Sequence, residues 1–418
     1  RQIKSRDSED MGWRRVKVTG DLHLMKKLNK SIILETIIAE SPVSRAAISE
    51  KTGLNKATVS NLVTELIESQ LVYETGPGAS SGGRKPVMLL FNNEAGYAIG
   101  VDLGVNYILT VLTDLKGQIV KERRVPLLDL QYERALSQLT DSIRWALDSA
   151  PDSPYGVVGI GIGVPGLVDA EGRILSAPNL KWRKVDLRAA IEQEFRLPVT
   201  IDNEANVGAL GEKSYGDYRA ARDMIYVSAG IGIGVGIVVN NALYRGFSGF
   251  SGEMGHMTIH MDGLPCSCGN RGCWELYASE NALLLRAARY LQERRAASGQ
   301  QEAGQELTLD ALVSMAEKGD EGIIRLFEEV GYYLGIGIAN VINTFNPELV
   351  VIGNRLSLIK PWIEASMLAC VEQRSLQYHH RRVHIVFSKL AMKSAAVGAA
   401  ELAIKAFFAQ TKATVEEG

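Results

Sequence analysis

The sequence predicts a multidomain α/β protein, in which a small winged helix-turn-helix precedes a larger body of two similar lobes. Three observations predict this fold class. Helical periodicity and a glycine-rich hairpin fill residues 21–91, a strand-glycine-strand pattern at Tyr97 recurs from Met224, and one histidine with three cysteines lies within residues 256–273. At 418 residues the chain is long enough for several domains, and mixed strands and helices favour an α/β body.

The composition is that of a globular protein outside the membrane. Hydrophobic residues make up 46% of the chain and charged residues 22%. No apolar run reaches the roughly 18 residues that a membrane span needs, and residues 1–10 lack the apolar core of a secretory signal. We therefore expect a cytoplasmic protein.

Charge is distributed unevenly along the chain. Residues 1–90 contain 14 Lys and Arg against 10 Asp and Glu, whereas residues 91–418 contain 32 against 38. A basic first segment before an acidic remainder indicates that the first segment meets an anionic partner such as DNA.

Three helices are predicted at the start of the chain. Apolar residues recur at helical spacing from Leu24 to Ile38, which predicts a helix that ends near Glu40. Ser44 is placed to cap a short second helix, Gly53 makes the turn, and Asn55 is placed to cap a third helix. This order is that of a helix-turn-helix.

A β-hairpin is predicted after these helices. An apolar segment at residues 71–73 and a strand at 87–91 flank a glycine-rich tip followed by Arg84 and Lys85. In a helix-turn-helix the second helix of the motif places its N-terminal residues against base edges, and basic wing residues reach phosphate or minor groove. The predicted DNA-binding residues are Ser44, Arg45, Asn55, Lys56, Thr58, Ser60, Asn61, Arg84 and Lys85. The alternative is a dimerisation or protein-docking module, but the small polar residues of the third helix favour DNA over a protein interface.

The body resembles the ribonuclease H-like, actin-like ATPase architecture, with a ligand cleft between its lobes. Asp102 is placed to hold the water shell of a magnesium ion, and the glycines of 230–236 would let a phosphate approach the backbone. The predicted divisions are an extension at 1–20, the winged helix at 21–91, a first lobe at 92–201 completed by 393–410, a second lobe at 202–392, and a polar tail at 411–418.

A compact loop predicts a metal site. His256, Cys266, Cys268 and Cys273 supply one imidazole and three thiols, and glycines between them permit tight turns. Four protein ligands of this kind favour a tetrahedral zinc ion with no open position, so the ion is expected to be structural. The alternative is a set of buried cysteines without metal.

Two segments resemble the signature of the ROK (repressor, open reading frame, kinase) family. They are GEMGH at residues 252–256 and CSCGNRGCWE at residues 266–275, and the resemblance extends over nearly the whole chain. It implies a homodimeric repressor that binds a palindromic operator at the nucleoid and leaves it when xylose binds as inducer, with glucose as a competing ligand. The sugar-binding residues that it implies are Gly166, Asn179, Asn203, Glu204, Glu253, His256 and Glu275.

The chain departs from the kinases of that family at four places. By this resemblance, Glu204 stands where the kinases have a catalytic aspartate. Asn106 and Ile231 stand where the kinases have threonines that face phosphate. Residues 353–355 stand where the kinases have a run of glycines. A misplaced base and lost phosphate contacts predict no ATP binding and no enzymatic activity. An active sugar kinase with an appended DNA-binding domain and a protein-docking regulator are the alternatives.

Overall fold

The structure, a computed structural model, describes residues 22–77, 86–169, 171–298 and 307–413. The chain divides into two compact units, one within residues 1–92 together with the chain end from Lys412, and the other from Asn93 to Thr411. The predicted extension at 1–20 lies outside the described residues. Across the described ranges, no helix is both long enough and apolar enough to cross a membrane.

The first unit contains three helices and a small antiparallel sheet. In chain order its elements are α1 (Leu22–Glu40), β1 (Val43–Ser44), α2 (Arg45–Thr52), α3 (Lys56–Glu68), β2 (Val72–Pro77) and β3 (Val87–Phe91). The strands pair in the order β1-β3-β2, so β2 and β3 form a hairpin against which β1 adds one short strand.

Short-range chemistry sets the helix boundaries in this unit. The Ser44 side chain accepts a hydrogen bond from the backbone N–H of Ala47, and the Asn55 side chain accepts one from Thr58, so both predicted N-caps are confirmed. Gly53 ends α2 at φ +71°, a left-handed conformation that glycine adopts without strain. The helices and hairpin enclose a core of Ile33, Ile37, Ile48, Val59, Val63, Leu66 and Leu89.

The first lobe of the second unit is built on a mixed sheet. Its elements are β4 (Tyr97–Leu103), β5 (Tyr107–Asp114), β6 (Ile119–Pro126), α4 (Tyr132–Asp148), β7 (Val157–Val164), β8 (Leu167–Val168), β9 (Ile174–Ala177), β10 (Trp182–Val185), α5 (Leu187–Phe195) and β11 (Val199–Asn203). The main sheet has the order β11-β7-β4-β5-β6, and β8 to β10 form a small sheet of their own. Strand β11 runs to Asn203, two residues past the predicted lobe boundary, because the strand ends only where Asn203 caps the next helix.

The second lobe follows helix α6 (Glu204–Tyr215). Its elements are β12 (Met224–Ala229), β13 (Ile233–Val239), β14 (Ala242–Leu243), α7 (Glu275–Ala278), α8 (Glu280–Ser298), α9 (Leu309–Glu317), α10 (Glu321–Phe345), β15 (Leu349–Gly353), α11 (Lys360–Arg374), α12 (Gln377–His380) and β16 (His384–Phe387), followed by α13 (Ser394–Ala413). The sheet order β14-β13-β12-β15-β16 repeats that of the first lobe, with an antiparallel meander followed by two parallel strands. The predicted internal duplication is therefore present.

Helices α6 and α13 cross so closely that only glycine fits at the crossing. A Cβ atom added to Gly398 of α13 would lie 1.7 Å from the carbonyl oxygen of Val207 in α6. Helix α13 also covers the first-lobe sheet, where a Cβ on Gly161 would lie 1.8 Å from the carbonyl oxygen of Ala399. It continues to Ala413, so the predicted polar tail begins inside this helix.

Candidate functional site

A cavity of about 480 Å³ lies between the two lobes of the second unit. Turns after equivalent strands of the two sheets form part of its wall, with Gly104 after β4 and residues 230–232 after β12. The structure brings all of the predicted sugar-binding residues to this one cavity, namely Gly166, Asn179, Asn203, Glu204, Glu253, His256 and Glu275.

Asn203 is fixed by the start of helix α6. Its side-chain oxygen accepts hydrogen bonds from the backbone N–H groups of Ala205 at 2.8 Å and Asn206 at 3.4 Å, and its amide nitrogen donates to the carbonyl oxygen of Gly166 at 2.9 Å. The carboxamide is thereby locked in one orientation, with one N–H still available to a ligand.

Glu204 is held by two side chains that sequence reasoning missed. Its Oε1 atom accepts hydrogen bonds from the Ser228 hydroxyl at 2.7 Å and from the Asn354 amide at 2.8 Å. Burial raises the pKa of Glu204, and the two donors oppose that rise. Ser228 lies near the carboxyl end of β12, and Asn354 follows the parallel neighbour β15. The sequence signal that could have identified Ser228 and Asn354 is their position at the carboxyl ends of two strands, because ligands bind at that edge of a sheet.

Glu253, His256 and Glu275 form a second polar wall. His256 directs Nδ1 toward Glu275 Oε1, at 3.3 Å, and toward Cys266 Sγ, at 3.6 Å, while its Nε2 lies 4.0 Å from Glu253 Oε2. Burial raises the pKa of Glu253, the neighbouring His256 lowers it, and the charge of Glu275 raises it further. One imidazole therefore faces the cysteines with one nitrogen and Glu253 with the other.

The donor atoms of His256, Cys266, Cys268 and Cys273 all lie within 4.8 Å of one another. The Sγ atoms of Cys268 and Cys273 are 3.7 Å apart. A tetrahedral ion with bonds of roughly 2.3 Å to sulfur would place its ligands roughly 3.8 Å apart, so the spacing fits such an ion. Gly269 and Gly272 make the turns at φ +93° and +69°. The cluster can hold a metal ion with no ligand position left open.

The other end of the cavity differs from the expectation for a magnesium site. Asp102 does not line the cavity and is 1% exposed, and its Oδ2 atom accepts a hydrogen bond from the Tyr107 hydroxyl at 2.7 Å. Burial raises the pKa of Asp102 well above its ordinary value, and the charge of Glu204 adds to the rise. Tyr107, which lines the cavity, thus bonds one oxygen of this carboxyl, and the magnesium role expected for Asp102 stays a prediction.

Residues 353–355 fill space at the same end. Asn354 packs onto the turn after β12, since a Cβ atom on Gly230 would lie 2.8 Å from its amide nitrogen. Arg355 is 5% exposed, and its Nε atom donates to both carboxylate oxygens of Glu280 at 2.8 and 2.9 Å. Ile231 also lines the cavity, whereas Asn106 does not.

The predicted DNA-binding residues of α3 lie at its N-terminal end. Lys56, Ser60 and Asn61 are exposed and Thr58 is half-buried. Asn55 is exposed and uses its side-chain oxygen as the helix cap.

The predicted DNA-binding residues at the start of α2 use their side chains in contacts within the first unit. The Ser44 hydroxyl caps α2, and Arg45 forms an ion pair with Glu74 of β2 at 2.6 Å. Arg84 and Lys85 lie outside the described residues. Of the predicted DNA-binding residues, the structure therefore describes those at the two helix starts.

Trp182 is a core residue. Its side chain is 3% exposed, and its indole nitrogen donates to the carbonyl oxygen of Leu130 at 2.8 Å. It therefore offers no stacking face to a sugar.

Comparison with known proteins gives a consistent set of relatives. A model of the ROK family matches residues 98–406. The chain is 44% identical over 387 residues to the xylose repressor of Bacillus subtilis (strain 168). The aligned region covers 93% of this chain and 97% of that protein. It also resembles the crystal structure of a ROK family transcriptional regulator homologous to the Escherichia coli MLC protein, at 28% identity, TM-score 0.77, and coverage of 93% of this chain and 98% of that one.

An enzyme is also among the structural neighbours. A ROK family glucokinase from Streptomyces griseus, in complex with glucose and AMPPNP, matches at 30% identity and TM-score 0.65, over 74% of this chain and all of its own. The resemblance inferred from residues 252–256 and 266–275 is thereby confirmed.

Proposed function

Because the chain belongs to the ROK family and is a sugar-responsive transcriptional repressor, we propose that its effector is xylose and that xylose in the interlobe cavity releases it from the operator of a xylose-utilisation operon. The observation that carries this proposal is the cavity wall. Glu204, Glu253 and Glu275 supply acceptors there, and Asn179 and Asn203 supply amides. Paired donors and acceptors of this kind match the vicinal hydroxyls of a sugar.

The first unit is the proposed DNA-binding domain, a winged helix-turn-helix within residues 21–91. Helix α3 begins after a glycine turn and presents polar residues at its N-terminal end, as a recognition helix requires in the major groove. Two copies in a homodimer would match the two half-sites of a palindromic operator. A protein bound to that operator would lie at the nucleoid.

The metal of the histidine-cysteine cluster is proposed to be zinc, with a structural role. Three thiols and one imidazole are soft ligands suited to zinc, and four of them complete its tetrahedral shell. The ion would hold His256 by Nδ1 and leave Nε2, on the Glu253 side, free to contact a sugar hydroxyl. The ion would thereby orient His256 without activating water.

We propose that the body has no kinase activity. Asn354 covers the backbone of Gly230, Asp102 is bonded to Tyr107, and the Glu204 carboxylate is tied to lobe-two side chains. We expect no sugar-dependent release of ADP from Mg-ATP with xylose or glucose, measured by a coupled assay with a sugar kinase as positive control. Turnover above background would favour the kinase with an appended DNA-binding domain.

The proposed mechanism is reciprocal coupling between the two ligands. Xylose favours one arrangement of the lobes and operator DNA favours another, so each ligand weakens the other by the same factor. A coupling of about 1–3 kcal/mol corresponds to roughly 5- to 150-fold in operator affinity.

The test is binding of the purified protein to a palindromic duplex from the promoter of a neighbouring xylose operon, at fixed salt. We expect xylose to weaken binding by about 5- to 150-fold, and glucose to reduce the xylose effect without releasing the protein by itself. Tight binding that no sugar changes would refute the sensor, and no specific, salt-dependent binding would favour the protein-docking regulator.

A further inference from the structure

Asn354 closes a ring of hydrogen bonds around one oxygen of Glu204. Its amide nitrogen donates to Glu204 Oε1 at 2.8 Å and to the Ser228 hydroxyl oxygen at 3.0 Å. The Ser228 hydroxyl in turn donates to the same Oε1 at 2.7 Å. All available amide hydrogens of Asn354 are therefore spent on this ring.

The ring leaves the two oxygens of Glu204 in different situations. Oε1 accepts two hydrogen bonds, while Oε2 has no hydrogen-bond partner among the residues that the structure describes. Glu204 lines the cavity. The carboxylate is thus held by one oxygen and offers the other to a ligand.

Asn354 is itself held firmly in an unusual conformation. Its φ of +67° and ψ of −162° belong to a region that side-chain-bearing residues rarely adopt, so the position is strained. Its backbone N–H donates to the carbonyl oxygen of Ala391, and its side-chain oxygen accepts from the N–H of Arg355 at 2.7 Å. Arg355 is anchored in turn by Glu280. Strain that persists at a cavity wall points to a role for this side chain.

We propose that Asn354 is a positioning residue of the sugar site, which orients Glu204 so that Oε2 accepts a sugar hydroxyl. This inference rests on the proposed function as a sugar sensor. It assigns the sugar affinity partly to a residue 150 positions away from Glu204 along the chain. The alternative is that Asn354 only fills space after β15.

Asn354→Asp separates the two roles because it preserves shape and replaces the donor by an acceptor. At neutral pH two facing carboxylates repel, so xylose affinity falls by about 10- to 100-fold. As pH falls, one proton binds between the two carboxylates and restores a donor toward Glu204, so affinity recovers. Asp102 and Tyr107 of the first lobe and Tyr226 of β12 interact electrostatically with Glu204. They are common to every variant, so the wild-type pH curve is the reference.

The experiment is a calorimetric titration of the full-length protein with xylose, repeated at several pH values between pH 5.5 and 8. Asn354→Ala is expected to bind weakly at every pH, and Ser228→Ala, which removes the second donor, to weaken binding as well. The matched control is Asn346→Asp, the same exchange in an exposed asparagine that also has positive φ and lies outside the cavity. It is expected to bind as the wild type does.

Each outcome decides between the roles. Recovery of Asn354→Asp at low pH, relative to the wild-type curve, supports positioning by a hydrogen bond. Wild-type affinity in Asn354→Asp and Asn354→Ala, or equal weakness of both at all pH values in folded protein, overturns it. If the folded wild-type protein binds no sugar, the proposed function fails and this inference fails with it.

Discussion

Replacement of Cys273 by serine is expected to remove both the metal ion and the sugar response. Cys273 is fully buried in the cluster, and burial raises the pKa of its thiol to about 12, with hydrogen bonds to Cys266 and Cys268 adding to the rise. A bound metal ion is therefore needed to stabilise the thiolate. Because His256 and Glu275 border both the cluster and the cavity, loss of the ion is expected to free two side chains that we propose to bind sugar.

The expected size of this effect is about 10- to 100-fold in xylose affinity, the range by which changes around a metal site lower metal affinity or activity. Zinc content per chain by mass spectrometry and xylose titration are the two measurements. Cys370→Ala is the control, because Cys370 is a buried free cysteine in α11, outside the cluster. One zinc per chain together with wild-type affinity in the serine variant would show that the cluster is not the metal site.

Replacement of Gly398 by alanine is expected to destabilise the second unit by about 3 kcal/mol or more. The added methyl group would lie 1.7 Å from the carbonyl oxygen of Val207 and 2.7 Å from the backbone nitrogen of Gly211. Both atoms belong to the backbone of α6, so no side-chain rotation relieves the overlap, and the two helices must separate. The measurement is the free energy of unfolding from urea denaturation.

Gly319→Ala is the comparison for this prediction. Gly319 has φ +84° and nothing within 4 Å of an added Cβ atom, so its substitution imposes backbone strain alone, about 1–2 kcal/mol. Similar losses in the two variants would mean that α6 and α13 separate easily, contrary to the close crossing.

Local patterns predicted most of the fold, because the relevant forces act over short stretches of chain. The caps at Ser44 and Asn55 and the repeated meander from Tyr97 and Met224 are encoded by neighbouring residues. The cysteine spacing likewise predicted the cluster, since three of its ligands lie within eight residues of one another.

The missed features depend on contacts between distant segments. Ser228 and Asn354 meet Glu204 only because β12 and β15 pair in parallel and end at the same edge. The hydrogen bond between Tyr107 and Asp102 was missed for a related reason. The β4–β5 turn returns Tyr107 over Gly104, where a Cβ atom would lie 2.5 Å from the ring, and this brings the Tyr107 hydroxyl to the Asp102 carboxyl.

Helix α6 constrains how effector preference can change. Its 12 residues make a rod about 18 Å long, with Glu204 at one end. Toward the other end Glu212 accepts a hydrogen bond at 2.5 Å from Ser394, the first residue of α13. A substitution that moves Glu204 to suit a different sugar therefore also disturbs the start of α13. Asn179 and Glu253 lie outside α6, so their substitution does not disturb the start of α13 in this way. We therefore expect adaptation to new sugars to begin at these two residues.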